Sequence, residues 1–306
     1  MVRGKLKKLS VVLFAVVLTC GVALLSSSAI SSMSTKQTVS EGTVPNESGN
    51  DAKEPISYAA LGGSYASGIS YDNIPGTGRC GRGVKSYPNQ VAEKLGYKLT
   101  DYSCAGATTK NILSSKQRGN PDGLQIEAVN PQTDLVTITV GGNDIGYVGR
   151  VTTTSCNNSP KYCRKRHNPS PEPTGADYDR AEKSVFNVIN AVKNRAPHAE
   201  IMVIGYLPIV SPVDKGCKDL PLDSEQIAAT ARVYSSLDIA IQRAASKANV
   251  TYVTGGAEWF KHTVCSPEPW MHGMRTGVPY HPNDAGNTAI AEEIVNAIPD
   301  RLKGKN

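Results

Sequence analysis

Five short runs of apolar, β-branched residues punctuate the chain at residues 56–63, 98–104, 134–142, 200–208 and 250–255. The third, "DLVTITVGG", is a near-continuous Val/Ile/Thr run, the pattern of a strand buried on both faces. Between the runs the period changes. A helix is expected at 86–96, and another from about Tyr178 to Arg195, where Val185, Phe186, Val188, Ile189 and Val192 recur at helical spacing. A long helix is expected to start near Asp223, its N-cap, and a last one over 284–297 carries Ala289, Ile290, Ile294 and Val295, with Ile298 just beyond. Strands alternating with helices in this way predict an α/β fold, with a five-stranded parallel sheet between two helical layers.

The first fifty-five residues follow other rules. Arg3, Lys5, Lys7 and Lys8 precede an almost wholly apolar run, "LSVVLFAVVLTCGVALL", and then small residues. This reads as a secretory signal peptide over 1–29, with an uncleaved single-span anchor as the alternative. "VLTC" at 17–20 is rejected as a lipidation box, because Thr19 is large for its place and apolar sequence continues past Cys20. Residues 30–55 are polar and Ser/Thr-rich, too poor in apolar residues to build a core, and read as a flexible linker. Residues 56–306 then form one domain of comfortable size.

Charge changes the picture little. Residues 1–29 hold four of the 33 Lys+Arg and none of the 27 Asp+Glu, so the remainder carries 29 against 27, a net charge of about +2. Nothing in that balance calls for nucleic acid. Besides Cys20 there are six cysteines: Cys80, Cys104, Cys156, Cys163, Cys217 and Cys265. An even number in an exported chain suggests three disulfides. Metal binding by Cys156, Cys163 and His167 is the rival, and it lacks the usual CxxC spacing.

The chemistry gathers after the strands. Ser64 follows Gly62-Gly63 at the end of the first run, "SCAGATT" (103–109) ends the second, "GGND" (141–144) ends the third, and "YHPNDAGN" (280–287) opens the last helix. Each alone is ordinary turn or capping chemistry. In an open parallel sheet, however, ligands bind outside the carboxyl ends of the strands, where the first three blocks all lie. Ser64 is then a candidate nucleophile and His281 its general base. Backbone N–H groups of Ser64 and Gly106 and the side-chain amide of Asn143 are candidate donors to an oxyanion. Glycine at 106 leaves substrate free to approach the backbone. Ser67 is a rival nucleophile farther from the strand end. No G-x-S-x-G elbow is present, since position 66 is alanine.

The ordered set Ser64, Gly106, Asn143 and His281 resembles the four blocks of the SGNH (GDSL) hydrolases, particularly secreted actinobacterial esterases and lipases. The resemblance spans about residues 56–300. "KHTVC", Lys261 to Cys265, echoes the family's GHxxC element with lysine in place of glycine. The resemblance implies a three-layer, flavodoxin-like α/β/α sandwich and cofactor-free hydrolysis of carboxylic esters through an acyl-Ser64 intermediate. It also implies the disulfides Cys80–Cys104, Cys156–Cys163 and Cys217–Cys265.

Two departures stand out. Gly63 occupies the family's aspartate position, which implies a less firmly held nucleophile loop and a slower enzyme. Val278 stands where many relatives carry an aspartate three residues before the histidine. The resemblance to actinobacterial members that use a main-chain carbonyl at that position implies a Ser64–His281 dyad oriented by the Val278 main-chain carbonyl, with Asp144 and Asp284 as alternative third members and Asp284 more naturally a helix cap. Of the other histidines, His167 and His198 are expected in solvent, and His262 and His272 in packing beside the cleft.

The loops at 68–88, 145–177 and 208–222 are where specificity is expected. The expected partner is a small-molecule or lipid ester. A positive patch, Lys161 with Arg164, Lys165 and Arg166, reads as a solvated loop, with contact with the cell envelope as the alternative, and the chain is read as a monomer outside the cell. The rival readings are a non-catalytic glycan- or lipid-binding scaffold, and an acyltransferase using the same acyl-enzyme.

Overall fold

A computed structural model describes residues 54–304 apart from 161–162, 164–167 and 169. The leader, nearly all of the linker, the basic patch and His167 lie outside the described residues. Five strands, β1 (Ser57–Gly62), β2 (Lys98–Asp101), β3 (Leu135–Thr139), β4 (Glu200–Ile204) and β5 (Thr251–Val253), form one parallel sheet in the order β2-β1-β3-β4-β5. Every residue of β3 is buried, as its unbroken apolar run requires. The observed strands stop short of the apolar runs, because the last residues of each run leave the sheet as loops, and those after β1, β2 and β3 carry candidate site residues.

The helices are α1 (Ser64–Ser67), α2 (Tyr87–Leu95), α3 (Thr109–Leu113), α4 (Tyr147–Asn158), α5 (Gly175–Arg195), α6 (Ser224–Lys247) and α7 (Asp284–Ala297). The chain moves one way across the sheet from β1 to β2, then reverses and runs through β3, β4 and β5. Right-handed crossovers therefore put α2 on one face and the later connections on the other. The packing agrees: α2 lies against α7, and α5 against α6 and α3. The result is the expected three-layer α/β/α sandwich. The reversal falls between β1 and β3, the two strands that deliver Ser64 and Asn143.

The long helices form where the apolar periodicity lies. In α5, Val185, Val188, Ile189 and Val192 are buried, while Phe186 is only partly covered. Its start at Gly175, three residues before the expected Tyr178, is set by Thr174, whose hydroxyl and backbone N–H both reach the Asp177 carboxylate. Asp223 caps α6 as expected, accepting from the Gln226 N–H at 2.9 Å. The cap of α7 is Asn283, whose side chain accepts from the Gly286 N–H at 2.9 Å; Asp284 is the first helical residue.

Helix α4 corrects the expectation of a loop at 145–177. It buries only Tyr147, Val151 and Ser155, a thin line at i, i+4 and i+8. Gly149 and three consecutive threonines lower its intrinsic preference, and packing overrides it. Among the described residues no helix is long and apolar enough to cross a membrane.

Candidate active site

The loop carrying Ser64 begins where β1 ends. Gly62 has φ of +142°, and a Cβ there would lie 2.2 Å from the Thr139 carbonyl oxygen, so only glycine fits. The Gly63 N–H donates to the same carbonyl at 2.9 Å. Ser64 then opens α1, a single turn that ends at Gly68 in the left-handed region. The turn aims the Ser64 hydroxyl out of the sheet edge: its Oγ lies 2.8 Å from Nε2 of His281, 217 residues away in sequence. Ser67 is fully buried and its hydroxyl donates to the Ser64 carbonyl at 3.3 Å, so the rival serine braces the turn.

His281 is held through its other nitrogen. Nδ1 lies 2.8 Å from the carbonyl oxygen of Pro279. This corrects the expected Val278: the Val278 carbonyl accepts mainly from the His281 backbone N–H, at 3.3 Å, and adds only a weaker contribution at the ring. The cause is Tyr280, which takes φ of +61° and so swings the Pro279 carbonyl under the imidazole. With Nδ1–H donating to a carbonyl, Nε2 carries the lone pair that faces Ser64. Burial disfavours the imidazolium and pushes the His281 pKa down to about 4. The Pro279 and Val278 carbonyls oppose that shift, and nearby His272 adds to it.

Neither alternative third member reaches the ring. The Asp144 carboxylate instead accepts from Thr109, from the N–H at 3.1 and 3.3 Å and from the hydroxyl at 2.5 Å. It ties the Gly106 loop to the Asn143 loop. Asp284 lies in the exposed first turn of α7.

The candidate oxyanion donors converge on the same edge. The N–H groups of Ser64 and Gly106 meet no acceptor among the described residues. Gly106 has φ of +82°, and its Cβ position is nearly open, so the backbone conformation itself selects glycine there. Asn143 Nδ2 donates one hydrogen to the Ala107 carbonyl at 2.9 Å, leaving the other free. The Gly106 loop is anchored by the Cys80–Cys104 disulfide, by Gln117 donating to the Ala105 carbonyl at 2.6 Å, and by buried Arg82 donating to the Ser103 carbonyl at 2.8 Å.

The other two disulfides are Cys156–Cys163 and Cys217–Cys265, so all three pairs are those the resemblance implied. The sulfurs of Cys156 and Cys163 bond to each other rather than facing a metal. His198 is exposed. His262 stacks on Trp270 at 3.8 Å. The His272 N–H donates to the His281 carbonyl at 2.8 Å, and the His272 carbonyl accepts from the Tyr280 N–H at 2.9 Å.

Two supporting residues escape a reading of the sequence, one heading the "YHPNDAGN" block and the other in no motif. Tyr280 is wholly buried; its carbonyl accepts from the Tyr65 hydroxyl at 3.1 Å and its own hydroxyl pairs with Ser155 of α4 at 2.5 Å. Gln125 is likewise buried and bonds both backbone groups of Gly62. The only early sign was position: one stands next to the histidine, the other just before β3.

The parallel α/β sandwich thus gathers a serine, an imidazole and amide donors at its switch point. The chain belongs to the GDSL-like lipase/acylhydrolase family, whose model matches residues 60–289. It is thus a carboxylic ester hydrolase of the GDSL type. It is 29% identical over 263 residues to Lipase 2 of Streptomyces coelicolor, covering 81% of this chain and 87% of that one. The extracellular lipase of Streptomyces rimosus superposes with a TM-score of 0.63 at 26% identity, covering 79% of this chain and all of that one. A phospholipase A1 of Streptomyces albidoflavus gives a TM-score of 0.61 at 26% identity, covering 79% and 99%.

Proposed function

We propose that this protein is an exported serine esterase that cleaves carboxylic esters through an acyl-Ser64 intermediate. The observation that carries the reading is the 2.8 Å contact between Ser64 Oγ and the lone-pair nitrogen of His281. Ser64 attacks the ester carbonyl carbon as its proton passes to Nε2. The oxyanion that forms accepts from the Ser64 and Gly106 N–H groups and the free Asn143 amide hydrogen. The tetrahedral intermediate collapses, Nε2–H protonates the departing alkoxide, and the alcohol leaves an acyl-serine. Water then attacks the acyl carbon, giving one proton to Nε2, and the carboxylic acid leaves as Nε2–H returns that proton to the serine; the acid then ionises in solvent.

A carbonyl at Nδ1 fixes the tautomer and supplies no full negative charge. The imidazolium formed in each step is therefore stabilised less than in a triad with an aspartate. The basic and apolar leader and three disulfides support export. The names of the Streptomyces relatives support a lipid ester as substrate.

The test is hydrolysis of p-nitrophenyl esters of increasing chain length by the purified protein and by Ser64→Ala. Turnover that disappears in the variant supports the reading. Turnover that persists places the chemistry elsewhere, and a folded wild type inert to every ester favours a binding scaffold.

A further inference from the structure

Gln125 stands 63 residues from Gly62 in the chain, in a 3-10 turn before β3, and its side chain is wholly buried. Its Oε1 accepts from the Gly62 N–H at 2.7 Å, and its Nε2 donates to the Gly62 carbonyl at 3.0 Å. One planar amide thus satisfies both backbone groups of a single residue. The Gly62 carbonyl also accepts from the Cys104 N–H at 3.0 Å, linking the same point to the Gly106 loop. Gly62 is followed by Gly63, which has no side chain to hold its own peptide, and then by Ser64.

We propose that Gln125 is a positioning residue for Ser64, resting on the reading of Ser64 as nucleophile. The amide fixes the last peptide of β1 and so sets the direction in which Gly63 and Ser64 leave the sheet. A rotation at Gly62 would carry the Ser64 hydroxyl off its 2.8 Å contact with His281. It would also disturb the N–H groups of Ser64 and Gly106 together, because both loops meet at the Gly62 carbonyl. The clamp supplies from across the sheet edge the restraint that Gly63 cannot supply locally.

A buried glutamine also supports the fold, so the test separates position from stability. Wild type, Ser64→Ala, Gln125→Leu and Gln125→Glu are compared for p-nitrophenyl butyrate turnover and for covalent labelling of Ser64 by a fluorophosphonate. Rates are normalised to the folded fraction from near-UV circular dichroism under the same conditions. Gln125→Leu is expected to lower kcat and the labelling rate by about a hundredfold per folded molecule, the scale of a small misplacement. KM is expected to stay within about twofold, because substrate binding is untouched.

Gln125→Glu keeps the acceptor and loses the donor when ionised, and regains the donor when protonated. It is expected to recover activity as pH falls through an ionisation that wild type lacks. A normal labelling rate per folded Gln125→Leu molecule overturns the proposal. So does a Gln125→Glu pH profile matching wild type, or a loss accounted for wholly by unfolded protein. Turnover or labelling in Ser64→Ala would instead overturn the assignment of the nucleophile, whatever the Gln125 variants do.

Discussion

The imidazole of His281 is oriented by the carbonyl of Pro279, two residues earlier on the same loop, at 2.8 Å. The imidazole and its acceptor share one short segment, so the geometry of the Ser64–His281 contact depends on the conformation of Tyr280 between them.

The first consequence is a pH dependence. Burial holds the His281 pKa down to about 4, so the neutral base is the prevailing form throughout the range above it. The acid limb of kcat/KM is expected near pH 4, with activity flat from there to neutrality. A pH–rate profile checks this, and a limb near 6.5 contradicts it. Because the folded-state value lies below the ordinary 6.5, this group's contribution to stability is complete above pH 6.5 and is lost as pH falls through about 4.

Tyr280 holds an uncommon left-handed backbone with φ of +61° and is pinned through its hydroxyl to Ser155. Tyr280→Phe leaves the buried Ser155 hydroxyl without that partner and is expected to cost about 1–2 kcal/mol of stability. Urea unfolding measures the cost. An unchanged midpoint and slope would contradict the role given to the pair.

Gly63 has φ of −90° and ψ of −155°, a backbone open to any residue, and it is the N-cap of α1 with no side-chain cap. A Cβ there would sit 3.0 Å from Asn143 Nδ2, the movable end of a side chain. An aspartate can cap the turn by accepting from an N–H of its first residues, which leaves the free Asn143 hydrogen for the oxyanion. Gly63→Asp is expected to raise kcat/KM by about threefold while adding only a few tenths of a kcal/mol of stability, the usual gain over a glycine cap. Steady-state kinetics decide, and an unchanged or lower kcat/KM counts against the account.

Asp144 accepts from Thr109 and does not bond to the His281 ring. Asp144→Ala is expected to cost about tenfold in kcat/KM, the value of a charge-assisted hydrogen bond that shapes a loop. Ser64→Ala is expected to cost several orders of magnitude more. If the two losses were equal, Asp144 would have to act on the base directly.

The sheet was legible in the sequence because strands buried on both faces must be written in Val, Ile and Thr, as "DLVTITV" is. The convergence of Ser64, Asn143 and His281 was legible because the first two follow strands and the third precedes a helix, all elements whose type the apolar pattern sets. Three features were not. Half of helix α4 is written in Thr, Ser and Asn, and its buried line of three residues is too thin for periodicity to separate from a loop. The choice of Pro279 over Val278 depends on a main-chain atom, which has no signature in a side-chain alphabet. Gln125 is one polar residue among many, and only the fold carries it to Gly62.

The account turns on Ser64 as the atom that takes the acyl group. The most direct measurement is intact-protein and peptide mass spectrometry after treatment with a fluorophosphonate, in which Oγ bonds to phosphorus as fluoride leaves. The account predicts one adduct per chain, on the peptide carrying Ser64 and on that residue, and none in Ser64→Ala. An adduct on Ser67 or elsewhere, or labelling that survives in Ser64→Ala, would contradict it.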